Sequence, residues 1–472
     1  MPVSEIPISK GTFKTQNPRS LRNTEFAEDL INLILDQAGT NYDRPTLELL
    51  TMLDSIEPIG MYSFDNVVMV VTIDRRIFTV DTVGNVNNIT GTSLPGEGRP
   101  VFADNGTTVF IAGGEAPLKW TPGGLTALLG GSPPDMTHIV YLDDYLIGNR
   151  RNQTERNKVI QFSDNGTTET WTGSNIFSHV ADPDELQGLT VSQRELYAVG
   201  QRTIEVWQNI GTTPIPFVRA FIWEYGTGAP YSIHSKDNSV FILDQDRRIL
   251  RFAGREFKRV SEGIEADIAT YESVSDCVIN SFTWDGSIHI FCLFPSAGKA
   301  WSLDLKNDQW TEWRGYDENG FARVRMNCLV YAKPDVFAGD FLTGKVWKFS
   351  RTEKTDAGGI FKRVRRFSNR DGGAGVRKRA NLLRFNMKRN VASEFEGGVS
   401  ETNPKFELRW RDDDKPFSEF RNISLGEIGE QKTYAEFRRL GVYRSRQYEF
   451  QFSDPSELSI TSVETDEEVM VS

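Results

Sequence analysis

Cysteine and histidine are scarce in this sequence, with three Cys and four His among 472 residues. Cys277, Cys292 and Cys328 are odd in number, lack CxxC spacing and lie in apolar runs. That is the pattern of small buried hydrophobes in a reducing compartment, and it excludes a disulfide scaffold. His138, His179, His234 and His289 are scattered, with no partners at metal-ligand spacing. Neither a metal site nor a cofactor is expected. No run approaches the roughly 18 apolar residues of a membrane span. The opening stretch, MPVSEIPISKGTFK, has no apolar core behind a basic start and does not read as a signal peptide. P-loop, dinucleotide-turn and Ser-His-Asp signatures are missing. The expected setting is a cytoplasm, or a particle assembled in one.

What is present is a globular composition, 38% hydrophobic, with 30 Phe and 10 Trp. The net charge of −11 is laid down unevenly. Residues 348 to 389 carry 14 Lys and Arg against 3 Asp and Glu, a net of +11, which leaves −22 for the rest. An acidic body with one basic belt argues against general coating of nucleic acid. The belt offers Lys362, Arg363, Arg365, Arg366, Arg377, Lys378 and Arg379 as candidate contacts to DNA or to an acidic protein neighbour. A solvated loop between domains is the plainer alternative.

The sequence also repeats itself. TIDRRIFTV (72–80) and DQDRRILRF (244–252) share an Asp-Arg-Arg-Ile core 172 residues apart. Around them, seven stretches have one form: GMYSFDNVVMVVTI from 60, RPVFADNGTTVFIAG from 99, HIVYLDDYLIGN from 138, GLTVSQRELYAVG from 188, YSIHSKDNSVFILD from 231, VINSFTWDGSIHIFCL from 278 and CLVYAKPDVFAGD from 328. Each is an apolar run, a short polar turn rich in Asp, Asn or Gly, and a second apolar run, hence a hairpin. A third β run follows each, as in RIFTV, KVIQF, TIEVW and KVWKF, and a fourth follows some, as in NNIT, LTALL, FVRAF, FKRVS and WTEW. Four short antiparallel strands per unit at this period predict an all-β fold, a β-propeller of six or seven blades over residues 60–352. The two Asp-Arg-Arg-Ile copies then sit at one equivalent place four blades apart, with solvated Arg heads and Ile packed between blades.

The ends differ. Residues 1–59 read as an N-terminal arm and partner-contact segment, basic at Lys10, Lys14, Arg19 and Arg22, of the kind often ordered only by a partner. Within it, 23–39 reads as either a helix or strands laid across another element. Residues 353–380 read as a basic Gly-rich linker. Residues 381–472 read as a small antiparallel β-sandwich, because KFELRW and YEFQFS alternate cleanly, with ETDEEVMVS as a frayed acidic tail.

Three segments carry a family resemblance: YAVGQRTIEVWQNIGTTPIPF (197–217), SDCVINSFTWDGSIHIFCLFPSAGKAWSLDLKNDQWTEW (275–313), and RRLGVYRSRQYEFQFSDPSELSITSVE (438–464) preceded by FELRWRDDD. In this succession the chain resembles the tail accessory, or packaged-DNA stabilisation, proteins of short-tailed phages. The resemblance implies a non-enzymatic virion protein that forms a ring, typically of six copies, beneath the portal and adaptor rings. Such a ring closes the tail after DNA packaging, holds a needle, supports fibres or spikes, and conducts double-stranded DNA at ejection. One rival is a carbohydrate-active hydrolase. However, FSDNGTTETW (162–171) breaks the frame of a sialidase Asp-box, and the pairs Asp143/Asp144 and Asp412/Asp413 fall in turns. The other rival is a cytoplasmic propeller scaffold for protein partners.

Overall fold

The computed structural model describes the chain except residues 1–3, 16–23, 55, 152–156, 180–183, 372–375, 389–403, 427–432 and 471–472. Arg19 and Arg22 lie outside the described residues. Seven four-stranded antiparallel units follow one another around a ring, six as separate sheets and the sixth blade as part of a larger one. The first runs Pro58–Phe64, Val67–Thr72, Ile77–Asp81 and Val86–Asn88. The next five begin at Val101, Met136, Leu186, His234 and Val278. Asp143 and Asp144 (φ 46° and 67°), Asp237 and Asn238 (52° and 51°) and Asp285 (50°) take the left-handed backbone of tight hairpins, which is why these turns are built from Asp and Asn.

The seventh blade settles the count left open between six and seven. Its strands Met326–Ala332, Asp335–Asp340 and Lys345–Ser350 lack a fourth member nearby in sequence. Thr46–Met52 supplies it, pairing from Lys345↔Met52 to Ser350↔Thr46. The ring is therefore closed by a strand from the N-terminal segment.

Blades hold together through clusters between adjacent sheets, one for each of the seven contacts. In Val109–Ala112, Val109 and Ile111 face the first blade, while Phe110 and Ala112 face the third. Both faces of each sheet are buried, so inner strands read as continuous apolar runs without alternation.

The Asp-Arg-Arg-Ile copies fall in blades one and five, at the turn from second to third strand. Ile77 and Ile249 are fully buried between blades. The first arginine of each copy is more than a solvated head. Arg75 donates to the Gly98 carbonyl (2.6 Å), and Arg247 to the carbonyls of Ile268, Ala269 and Tyr271 (3.3, 3.2 and 2.6 Å). Each clips its blade to the loop leading to the next. Both have positive φ, 70° and 63°, which aims the side chain back across that loop.

The sandwich draws on both ends of the chain. One sheet contains Leu33–Leu35, Asn41–Asp43, Ser459–Val469, Lys378–Met387 and Tyr434–Tyr443, with Ser4–Ile6 added. The other contains Ala27–Ile31, Arg363–Phe367, Ser445–Phe452, Lys405–Asp412 and Arg421–Ser424, and continues into blade six through parallel pairing of Ile31 with Glu312. The alternative of strands over helix is thus realised within 23–39, because its apolar residues Leu30, Leu33 and Leu35 find a sheet partner and a core. The segment read as linker contributes two strands, and the segment read as a frayed tail is strand to Val469, paired with Lys378–Met387. The basic arm is laced within its own chain: Thr12 N–H donates to Trp310 O (2.9 Å) and Lys14 N–H to Gly263 O (2.7 Å).

At the junction of ring and sandwich lies Arg44, fully buried. Its guanidinium lies 5.0 Å from the Trp313 ring centre and 4.9 Å from that of Phe361. It donates to both Asp356 carboxylate oxygens (3.2 and 2.6 Å) and to Asn32 Oδ1 (2.8 Å).

Two stability outcomes follow from closure and junction. Leu47, 1% exposed, packs in the cluster between blades six and seven, whereas Leu49 on the same strand is 52% exposed. Leu47→Ala is expected to cost about 2–5 kcal/mol in chemical denaturation, and Leu49→Ala less than about 0.5. Asp356→Ala strands a buried guanidinium and is expected to cost about 3–5 kcal/mol by the same measurement.

Candidate functional site

The basic belt is the site proposed from sequence, and the structure divides it. Strand Arg363–Phe367 lies between Ala27–Ile31 and Ser445–Phe452. Its period of two puts Arg363, Arg365 and Phe367 on one face, toward the sandwich core. Arg363 has no exposed surface. It donates to the carbonyls of Phe452, Ser456 and Asp454 (3.2, 2.8 and 2.5 Å) and to Asp43 (3.2 Å). Arg365 is equally buried and donates to Asn41 Oδ1 (2.7 Å) and the carbonyls of Lys10 and Glu25 (3.2 and 3.3 Å). Burial pulls the Arg365 guanidinium down to about 9. These two side chains reach neither a phosphate nor a neighbouring protein in this fold. They tie the arm, the ring-proximal segment 41–43 and the C-terminal sheet together.

Arg366 faces the other way. It pairs with Glu449 (2.6 Å) and Asp29 (2.5 Å) beneath the Phe417 ring. Lys362 lies 4.8 Å from the Tyr316 ring centre, and Lys378 pairs with Glu467 (3.0 Å). Arg377 and Arg379 are exposed, and among the described residues their guanidinium groups make no hydrogen bond or ion pair. The sequence concealed this division, because a charge run next to glycines reads as solvated. The hidden signal is the alternation Arg-Val-Arg-Arg-Phe, a strand period whose partners lie 89 residues on, at Phe452, and 324 residues back, at Asn41.

The ring axis is the other place where residues converge. First strands of all seven blades line a cavity of about 450 Å³. It is the size of a small-molecule pocket. One end is bridged by side chains. Tyr231 Oη accepts from the Arg99 backbone N–H (2.9 Å), Arg99 donates to Asn327 Oδ1 (2.9 Å), and Asn327 donates to Glu57 (2.8 Å). A Cβ on Gly98 would come 2.7 Å from the Tyr231 hydroxyl, so this closure is built around a glycine. His138 and His234 face the cavity. Burial pulls both down to about 4, which keeps them neutral at pH 7.

His179 sits in a buried ionisable cluster. Its Nε2 lies 3.6 Å from Asp184 and 3.0 Å from Thr203 Oγ1, and its Nδ1 lies 3.5 Å from Glu205. All three side chains are fully enclosed where the end of blade three's outer strand meets blade four. Burial pushes the imidazole down, but the two carboxylates outweigh it and hold it above its ordinary value. Burial opposes ionisation of Asp184 too, yet His179 and the N–H groups of Arg202 and Thr203 bring it to about 2. The sealed cluster braces the join of blades three and four. The carboxylate pairs considered for hydrolysis are also committed: Asp143 to Arg194 (2.8 Å) and Asp412 to Arg446 (2.6 Å). Asp164 accepts from Asn175 and Thr172 within its own turn (2.5 and 3.1 Å). Among the described residues no group of three His, Cys, Asp or Glu is placed to hold a metal.

A raised His179 stabilises the fold below its unfolded pKa of about 6.5, and that contribution is lost as pH rises through the folded value. Tm should therefore fall across that rise, and His179→Gln should flatten this arm of the Tm–pH curve. An unchanged slope in the variant would show that the imidazole is not the titrating group.

Comparison with known proteins adds one family. The model described as "Bacteriophage P22 Gp10, beta-propeller" matches residues 6–353, which is the ring together with the N-terminal strands that close and dock it. No curated protein matches. Among solved structures, the computationally designed Ika8 protein is 12% identical, with a TM-score of 0.37, covering 64% of this chain and 99% of its own. YCF48 bound to D1 peptide is 12% identical, with a TM-score of 0.41, covering 65% of this chain and 97% of its own. At these values neither bears on what this chain does. The family match spans well over half of the sequence, and the chain belongs to the phage stabilisation family of P22 Gp10 β-propellers, structural proteins of the phage tail.

Proposed function

We propose that this protein forms the nozzle ring of a short phage tail, assembled from several copies, typically six, below the portal and adaptor. In that position it retains the packaged genome, carries needle and fibre or spike proteins, and conducts DNA at ejection. The family match over residues 6–353 carries this reading. Two physical features support it. The ring axis holds a cavity of only about 450 Å³ and is bridged at one end, so on this reading DNA passes between copies and not through a propeller. The charge outside residues 348–389, a net −22, gives walls that repel phosphate and let DNA slide. Propeller and sandwich are joined in one sheet across blade six, an arrangement suited to bearing load.

The test is a phage carrying a nonsense codon in this gene. Heads are expected to fill and then lose their DNA, measured as nuclease-sensitive genome in purified particles, and the chain should appear in wild-type virions by mass spectrometry. Wild-type virions that lack the chain would overturn the reading.

A further inference from the structure

We infer that a corner of the sandwich, formed by Val376, Arg377, Arg379, Val442, Val469 and Met470, is the surface through which each copy docks on the acidic body of a second copy. The inference rests on the ring reading above and names the contact that holds the ring.

Strand register assembles the corner. Arg379 lies opposite Val442 on one side and Glu468 on the other, and Lys378 opposite Val469. Met470 N–H donates to Arg377 O (2.9 Å). The three strands thus bring these side chains to one end of one sheet, with Arg379, Val442 and Glu468 on one face and Lys378 and Val469 on the other. Val376, Val442, Val469 and Met470 are 36%, 43%, 54% and 37% exposed. Of the seven belt cations, Arg377 and Arg379 are the two left without a partner among the described residues.

This composition selects the class of partner. A phosphate backbone gains nothing from four aliphatic groups, whereas a protein interface buries such residues and is enriched in Met and Arg. The two guanidiniums favour an acidic partner, and the chain outside residues 348–389 carries a net −22. Two different patches meeting head to tail make a heterologous contact, which closes into a ring when the rotation allows. Addition of a strand is disfavoured. Tyr434–Tyr443 has an open edge, but Arg439 (φ 59°) and Gly441 (φ 86°) break its ladder beside Val442. The corner therefore acts through side chains.

The experiment places a photo-activated cross-linking residue at position 442 and reads the products in purified particles. A cross-linked peptide from a second copy is expected. A cross-link to another virion protein or to DNA would overturn the inference, as would no cross-link in particles that contain the chain. Particles lacking the wild-type chain would instead sink the ring reading. In parallel, Arg377→Glu with Arg379→Glu should lower incorporation into particles by about tenfold, while Arg194→Glu, at an 82% exposed side chain far from this sheet, should not. Equal incorporation of both variants would count against the corner.

Discussion

A ring of sheets has no partly formed version of itself that is equally well packed. Each blade here buries one face against the preceding blade and the other against the following one, so the ring is satisfied only when its last contact is made. That contact depends on Thr46–Met52 pairing with Lys345–Ser350, which places Leu47 between blades six and seven. Leu53 then packs between blades seven and one. With the strand in place, the first and last blades are held by backbone hydrogen bonds as well as by apolar contact.

The same N-terminal segment fixes the sandwich to the ring, and arginine does much of that work. Arg44, Arg363 and Arg365 are buried at the seam: Arg44 is met by the Asp356 carboxylate, whereas Arg363 and Arg365 donate mainly to backbone carbonyls and a side-chain amide from distant parts of the chain. A buried guanidinium is costly unless its fork is met, and meeting it demands one arrangement of its neighbours. These residues therefore specify how the two halves sit more than they add net stability. Much of the positive charge of residues 348–389 is an internal fastening, while Arg377 and Arg379 stay exposed.

Much of the ring was legible from sequence because local chemistry decides it. Asp, Asn and Gly at hairpin turns, and apolar runs of strand length, mark the first three strands of every blade. The repeated Asp-Arg-Arg-Ile marks equivalent turns four blades apart. What stayed hidden depends on distant partners. Ile176–Ser178, the outer strand of blade three, is three residues long behind a long loop. Thr46–Met52 has no local sign that its partner is about 300 residues away. Residues 27–35 have apolar spacing compatible with a helix, and only the sheet waiting for them decides the outcome. The belt was misleading for a related reason: charge is read from sequence as exposure, whereas Arg363 and Arg365 are exceptions made possible by carbonyls arriving from both termini.

The closing strand also has a consequence for biosynthesis. Residues 46–52 leave the ribosome early, but the strands that receive them end at residue 350. At translation rates of about 5–20 residues per second, the wait is roughly 15–60 s. For that interval the blade faces that close the ring have no companion. Synthesis order, as much as sequence, sets when this molecule becomes safe from misassociation.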